Sequence, residues 1–246
     1  MACPHCLRGS RRNDTMPEDL LRFALNTLSY EADFINFGGG ETLASLQHFK
    51  KFYRAFMESN INRKYFEYLW IPTNGLGLMR LPSLRALLIE FASQIGVVVT
   101  LGIATDIYHG TEQEKTFKIL KNELTLYPNI EVVEHGPTNS RALLNMGRSY
   151  YMYGGKDEII YSDSLDDYYI TFDGDVWGSC NLSYNFMSRF KNSPLYFGNI
   201  TKESIETIDQ RRTAVATELE NSNSVIKANE ARCAIIPKSK LWSHSL

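Results

Sequence analysis

Phe34-Ile35-Asn36-Phe37-Gly38-Gly39-Gly40-Glu41-Thr42 runs from a short, mostly apolar stretch through three glycines to a carboxylate. The apolar stretch is too short for a helix and rich in Phe and Ile, so Phe34–Phe37 reads as a short buried strand. Beyond the glycines, Leu46, Phe49, Phe52, Tyr53 and Phe56 recur at helical spacing, which predicts a helix over residues 43–57 with those side chains inward. The glycine run therefore sits at a strand-to-helix junction. Without a Cβ, backbone there can approach a bound ligand closely.

The same alternation extends in both directions. Upstream, Pro17 at a first helical position, followed by Glu18 and Asp19, opens an amphipathic helix carrying Leu20, Leu21, Phe23, Ala24, Leu25 and Leu28. Downstream, Tyr68–Ile71 reads as a strand closed by Thr73-Asn74-Gly75, and Pro82 starts a helix through Leu84, Leu87, Leu88, Phe91 and Ala92. Val97–Leu101 is the clearest strand, followed by a charged helix near residues 112–127, a strand at Ile130–Val133 and a short helix at Ser140–Met146. Repeated strand–helix units of this size imply α/β architecture with a parallel sheet, open or rolled into a barrel. The pattern then changes. Residues 156–167 read as a polar, acidic connection, Tyr168–Cys180 as two strands around a two-residue turn at Asp173-Gly174, and Gly198-Asn199-Ile200-Thr201 leads to a polar helix over residues 203–220. The final segment carries little pattern.

Bulk properties narrow the function classes. The 246 residues suffice for one large α/β domain, or a core with an appendage. Lys plus Arg (26) nearly balances Asp plus Glu (28), so no field for nucleic acid is indicated. No apolar run approaches the roughly 20 residues of a membrane span, and the N-terminus lacks the apolar core of a signal peptide, so the expected compartment is the cytoplasm. The cysteines at 3, 6, 180 and 233 are too few and too scattered for a secreted disulfide scaffold. They are expected to be free or to serve as ligands.

Cys3-Pro4-His5-Cys6 supplies two thiols with a two-residue gap, a spacing that can grip a metal or a cluster. Together with Gly38-Gly39-Gly40-Glu41 it resembles the radical S-adenosylmethionine (SAM) family, whose hallmark is CxxxCxxC after the first barrel strand and GGE at the end of the second. Cys3 and Cys6 match the last two cysteines of the triplet, and the first would fall ahead of Met1. The resemblance implies an incomplete (βα)6 parallel barrel lacking its first strand within this chain. It also implies a 4Fe-4S cluster held by Cys3 and Cys6 and S-adenosyl-L-methionine chelated to its open iron. Reductive cleavage would then yield a 5'-deoxyadenosyl radical that abstracts hydrogen from a substrate. With one cysteine of the triplet missing, the chain as written is expected to hold its cluster weakly.

Residue by residue, the resemblance puts His5 near the adenine and the backbone of Gly38, Gly39, Gly40 and Glu41 against the ligand's amino group. Thr42 stands where proline often follows. Thr73-Asn74-Gly75 fits the family's TNG, giving Asn74 a place in the site. Ala104-Thr105-Asp106 stands where many members carry serine, a variable residue and aspartate, so Thr105 and Asp106 become candidates for the ribose, and Arg141 for the ligand carboxylate. His109 reads as a solvated loop histidine.

Residues 170–176, Cys180 and Gly198-Asn199-Ile200 resemble the C-terminal extension, of SPASM or twitch type, found in many peptide-modifying members. Two thiols cannot supply the usual cysteine cage, so the extension is expected to lack an auxiliary cluster, with Cys180 and Cys233 as small buried apolar residues. The expected division is a radical SAM-like core over 1–155 and a β-hairpin and helix extension over 156–246. Expected partners are a peptide or small-molecule substrate and an electron donor such as a flavodoxin or ferredoxin. Three other readings stay open. One is a degenerate member that binds SAM or a partner without radical chemistry. Another is a thiol-disulfide oxidoreductase using the CPHC pair, disfavoured because no strand precedes Cys3 and the parallel units exceed a thioredoxin core. The last is a zinc-binding interaction module drawing on Cys3, Cys6 and other thiols or His48.

Overall fold

Strand and helix alternate through the first half of the chain in the computed structural model, which describes residues 14–27, 34–38, 40–61, 66–105, 111–135, 159–161, 165, 168–229 and 231–238. Contacts divide the chain into two compact units, one of residues 17–141 and one of residues 142–246 together with 1–16. The expected boundary at 155 and the expected helix at Ser140–Met146 lie outside the described residues.

The first unit runs α1 (Glu18–Thr27), β1 (Phe34–Asn36), α2 (Leu46–Met57), β2 (Tyr68–Thr73), α3 (Leu76–Arg80), α4 (Pro82–Ile95), β3 (Val98–Ala104), α5 (Thr111–Leu124) and β4 (Ile130–His135). The strands form one sheet in the order β1-β2-β3-β4, every pairing parallel. Period-two alternation sorts its residues. Leu69, Val99 and Ile130 lie side by side in register, as do Ile71, Leu101 and Val132, and all six are buried beneath α2, α4 and α5. On the opposite face, the register row Asn36, Trp70, Thr100 and Glu131 is exposed at its two ends. Helices thus cover one side of a parallel sheet. β1 is less buried than its composition suggests: Phe34 is exposed, stacking on Tyr68 with ring centroids 5.4 Å apart.

Two features set the helix ends. Ser45 caps α2 by accepting a hydrogen bond from the His48 N–H, so the helix starts at Leu46 and Leu43 is buried in the loop instead. Pro82 occupies the first turn of α4, and Gly96, at φ +75°, ends it in the left-handed region. β2 and β3 run further than their sequence patterns suggest, to Thr73 and Ala104, and α3 is an addition. Among the described residues no helix is long and apolar enough to cross a membrane.

The second unit comprises β5 (Ile159–Tyr161), β6 (Tyr169–Ile170), β7 (Asp175–Trp177), α6 (Tyr184–Arg189), β8 (Tyr196–Asn199), α7 (Ile205–Asn221), β9 (Ser224–Asn229) and β10 (Arg232–Pro237). It contains the expected hairpin, as β6 and β7, and the expected helix, and adds strands that complete two three-stranded antiparallel sheets. One sheet is ordered β10-β9-β5, the other β6-β7-β8. The β6–β7 loop spans residues 171–174 rather than two, closed by the Thr171 N–H donating to the Asp175 carbonyl and turned by Gly174 at φ +85°. The weakly patterned C-terminal segment is the β9–β10 hairpin.

Phe91 stands at the centre of the first unit's aromatic packing, edge-on to Phe49, Tyr53 and Phe56 at centroid distances of 5.5, 5.1 and 5.4 Å. Phe91→Ala is expected to destabilise this unit by about 3–5 kcal/mol. Leu126→Ala, at a side chain 80% exposed, should stay within about 0.5 kcal/mol. Urea unfolding followed by circular dichroism distinguishes the two.

Candidate functional site

In open and closed parallel α/β sheets, ligands gather at the carboxyl ends of strands, where the loops converge. Here β1 hands over to residues 37–45. The Phe37 N–H donates to the Trp70 carbonyl at 2.8 Å and its ring stacks on Phe52 at 3.6 Å, so the loop starts anchored to both β2 and α2. Thr42, standing where proline would remove a polar handle, donates its hydroxyl to the Phe37 carbonyl at 3.0 Å and closes the loop on itself.

The glycines differ in what they need. A Cβ on Gly38 would lie 2.9 Å from Pro72 Cγ and 2.9 Å from Asn36 Oδ1, so packing against β2 demands glycine there. Gly40 is exposed, has no positive φ and has nothing within 4 Å of where its Cβ would stand. Neither backbone conformation nor packing among the described residues requires glycine at 40. Gly39 lies outside the described residues.

Glu41 is half-buried, and both its carboxylate oxygens are engaged. Oε1 accepts from the Thr73 hydroxyl at 2.6 Å and from the Leu43 N–H at 3.3 Å, while Oε2 accepts from the Asn74 N–H at 2.9 Å. Burial pushes its carboxyl above the ordinary value of 4.5, outweighing the three donors, which pull the other way. Asn74 is held on further sides: its Oδ1 accepts from the Leu76 N–H at 2.9 Å, and its carbonyl accepts from Gln113 Nε2 at 2.8 Å. Gly75, at φ +71°, turns the chain into α3. Two residues on, a Cβ at Gly77 would fall 1.7 Å from the Leu43 carbonyl oxygen, so α3 and the glycine loop are in backbone contact.

Of the residues singled out in the sequence, Gly38, Gly40, Glu41 and Asn74 come together at the ends of β1 and β2. Thr105 follows β3, one strand over, with its hydroxyl 3.3 Å from Glu134 Oε1 on β4. Cys3, His5, Cys6, Asp106, His109 and Arg141 lie outside the described residues. Among the described residues no three His, Cys, Asp or Glu side chains gather as a metal site, His48 included. Cys180, expected to be buried, is exposed, and Cys233 on β10 is half-buried, its thiol pushed up to about 11 by burial. Both are free thiols. The sequence reading quoted Thr73 in its motif without giving it a role, and passed over Gly77 and Gln113. A glycine just inside a helix signals close packing and pointed to Gly77; the Gln113 contact crosses from α5 and left no local trace.

Two outcomes follow from this geometry. Gly77→Ala forces a methyl into a backbone carbonyl that no rotamer change can relieve, and the expected cost is at least about 2 kcal/mol in urea unfolding. For Glu41, a folded-state pKa above the unfolded value means the folded chain binds the proton more tightly. Its contribution to stability is therefore fully present below the unfolded value and is lost as pH rises through the folded one. The unfolding free energy of wild type minus that of Glu41→Gln should fall as pH rises from about 4, and a flat or rising difference contradicts the raised pKa.

No family model matches the chain, and no curated protein does either. Among solved structures it is similar to one described as native anSMEcpe with bound AdoMet, at 12% sequence identity and a TM-score of 0.49, over 88% of this chain and 78% of that one.

Proposed function

We propose that the chain is a radical SAM-type protein, binding S-adenosyl-L-methionine at the carboxyl ends of β1–β3 and a 4Fe-4S cluster through Cys3 and Cys6. The observation that carries the reading is Gly40: a glycine that packing among the described residues does not need, exposed beyond a strand end and followed by an anchored carboxylate. A residue kept free of side-chain atoms at such a point leaves room for backbone contact with a ligand. Asn74 beside it and Thr105 one strand over supply polar groups for the same ligand, with Asp106, His5 and Arg141 assigned by resemblance. The one-sided helical cover of four parallel strands is what part of an incomplete (βα)6 barrel wall would have, and supports that architecture.

A Cβ at Gly40 would meet no atom of the described residues, and that room supports SAM contact there. When bound, the reduced cluster would supply the electron that splits the sulfonium, giving methionine and the 5'-deoxyadenosyl radical for hydrogen abstraction. The chain's own part is to hold and orient the ligand. The substrate would be a peptide or a small molecule, the electron donor a flavodoxin or ferredoxin, and the second unit an extension without an auxiliary cluster.

In a chain extended to carry the first cysteine of the triplet, anaerobic reconstitution is expected to give iron and sulfide that depend on Cys3 and Cys6 and not on Cys180 or Cys233, whereas the chain as written should hold a cluster weakly or not at all. Equal iron in the extended chain and its Cys3→Ala, Cys6→Ala double variant would exclude the cluster assignment. Gly40→Val should keep the wild-type circular dichroism spectrum and melting profile while weakening SAM binding at least about tenfold by calorimetry. Wild-type affinity in that variant removes Gly40 from the site.

A further inference from the structure

We propose that Glu41 is a positioning residue: its carboxylate fastens the glycine loop to the end of β2, and Thr73, Asn74 and Gln113 form the receiving half of that fastening. The role deepens the SAM-binding reading, on which its ligand arm rests. An ionised carboxylate offers about four lone-pair sites. Three are occupied here by donors from within the chain, one from the loop itself and two from the end of β2, with both oxygens engaged. Such a group has little capacity left for a ligand and much for holding a loop.

The receiving side is itself fixed. Asn74 gives its N–H to Glu41 and takes Gln113 on its carbonyl, so its backbone is held on both sides. Gln113 is 5% exposed and belongs to α5, which packs into the sheet through Phe117, Leu120 and Leu124. The Thr73 hydroxyl donates to Glu41 and accepts from the Gly75 N–H at 3.0 Å, so it serves the fastening and the turn together. Rigidity passes from α5 through Gln113 to Asn74, from Asn74 to Glu41, and from Glu41 to its chain neighbour Gly40. A loop without regular secondary structure, whose tip must meet a ligand at backbone level, gains affinity from being held before the ligand arrives.

The substitutions discriminate by chemistry. Glutamine at 41 keeps an oxygen for the Asn74 N–H and can donate to Thr73, but it turns an NH2 toward the Leu43 N–H. It should act as a partial rescue of alanine, which loses all three bonds. Gln113→Leu keeps the volume and removes the bond to Asn74.

Amide hydrogen exchange over residues 40–45, with residues 82–95 of α4 as internal reference, tests the fastening directly. Glu41→Ala, which removes all three bonds, is expected to speed loop exchange at least about tenfold, while α4 stays protected. Glu41→Gln, Thr73→Val and Gln113→Leu should give smaller increases. The Glu41→Ala, Gln113→Leu pair should exchange no faster than Glu41→Ala alone, because both act through one connection. SAM affinity should fall in the same rank order. Unchanged loop protection in Glu41→Ala, or additive effects in the pair, overturns the proposal. Lost affinity with unchanged protection would make Glu41 a ligand contact instead. If wild type fails to bind SAM, the functional reading fails while the exchange data still decide the positioning role; if Glu41→Ala fails to fold, Glu41→Gln and Gln113→Leu carry the same comparison.

Discussion

The first unit depends on keeping two rows of strand residues away from water. Leu69, Val99 and Ile130 form one, Ile71, Leu101 and Val132 the next, and α2, α4 and α5 exist as packed helices because their aromatic and aliphatic stripes close over these rows. A one-residue slip in any strand would send its whole apolar set to the opposite face, so the register is held by burial as much as by hydrogen bonds. Once the register is set, the strand ends line up. Thr73 then falls opposite Ile103, and the loops after β1, β2 and β3 emerge side by side.

The loops are thereby brought close, and a second layer of contacts makes their arrangement definite. Gly77 meets the Leu43 carbonyl, Gly38 meets Pro72, and Glu41 spans from the loop to the end of β2. Each uses an absence or a charge where the neighbours leave no alternative: missing Cβ atoms where backbones touch, a carboxylate where three donors converge. The buried cost of that carboxylate appears as its raised proton affinity.

The second unit is organised around another acidic group. Asp175 is 4% exposed and is matched by the Lys191 amine, the Tyr196 hydroxyl and the Asn199 amide. Tyr196, half-buried beside that carboxylate, is pushed up to about 12 by desolvation and the nearby charge. Asn199 also bonds the Asp173 carbonyl and takes the Thr201 N–H, so one side chain ties the β6–β7 loop to the end of β8. Gly198, at φ +138°, leaves the space that Arg211 and Glu203 occupy as they pair across the start of α7. These polar connections explain why the Asp173-Gly174 and Gly198-Asn199 segments stand out in the sequence: one is the turn and the other the strand end through which the sheet is cross-tied.

Local chemistry made much of the first unit legible. Apolar spacing, Pro17 and Pro82 at helix starts and the glycine run marked the alternating elements, because those signals act within a few residues of where they are written. The hairpin of β9 and β10 was not legible, since β9 is buried on both faces and loses the alternation that identifies a strand. The same limit applies to the site. The sequence by itself determined which residues stand at strand ends, Gly38, Gly40, Glu41, Asn74 and Thr105 among them, since strand length and turn chemistry are local properties. Only the tertiary structure decided that Gln113 reaches Asn74 from α5, that Gly77 carries no Cβ because Leu43 lies against it, and that Glu41 turns its carboxylate toward β2. Those facts depend on partners 32 to 39 residues apart for the hydrogen bonds, and on a backbone approach that exists only after the sheet has been packed.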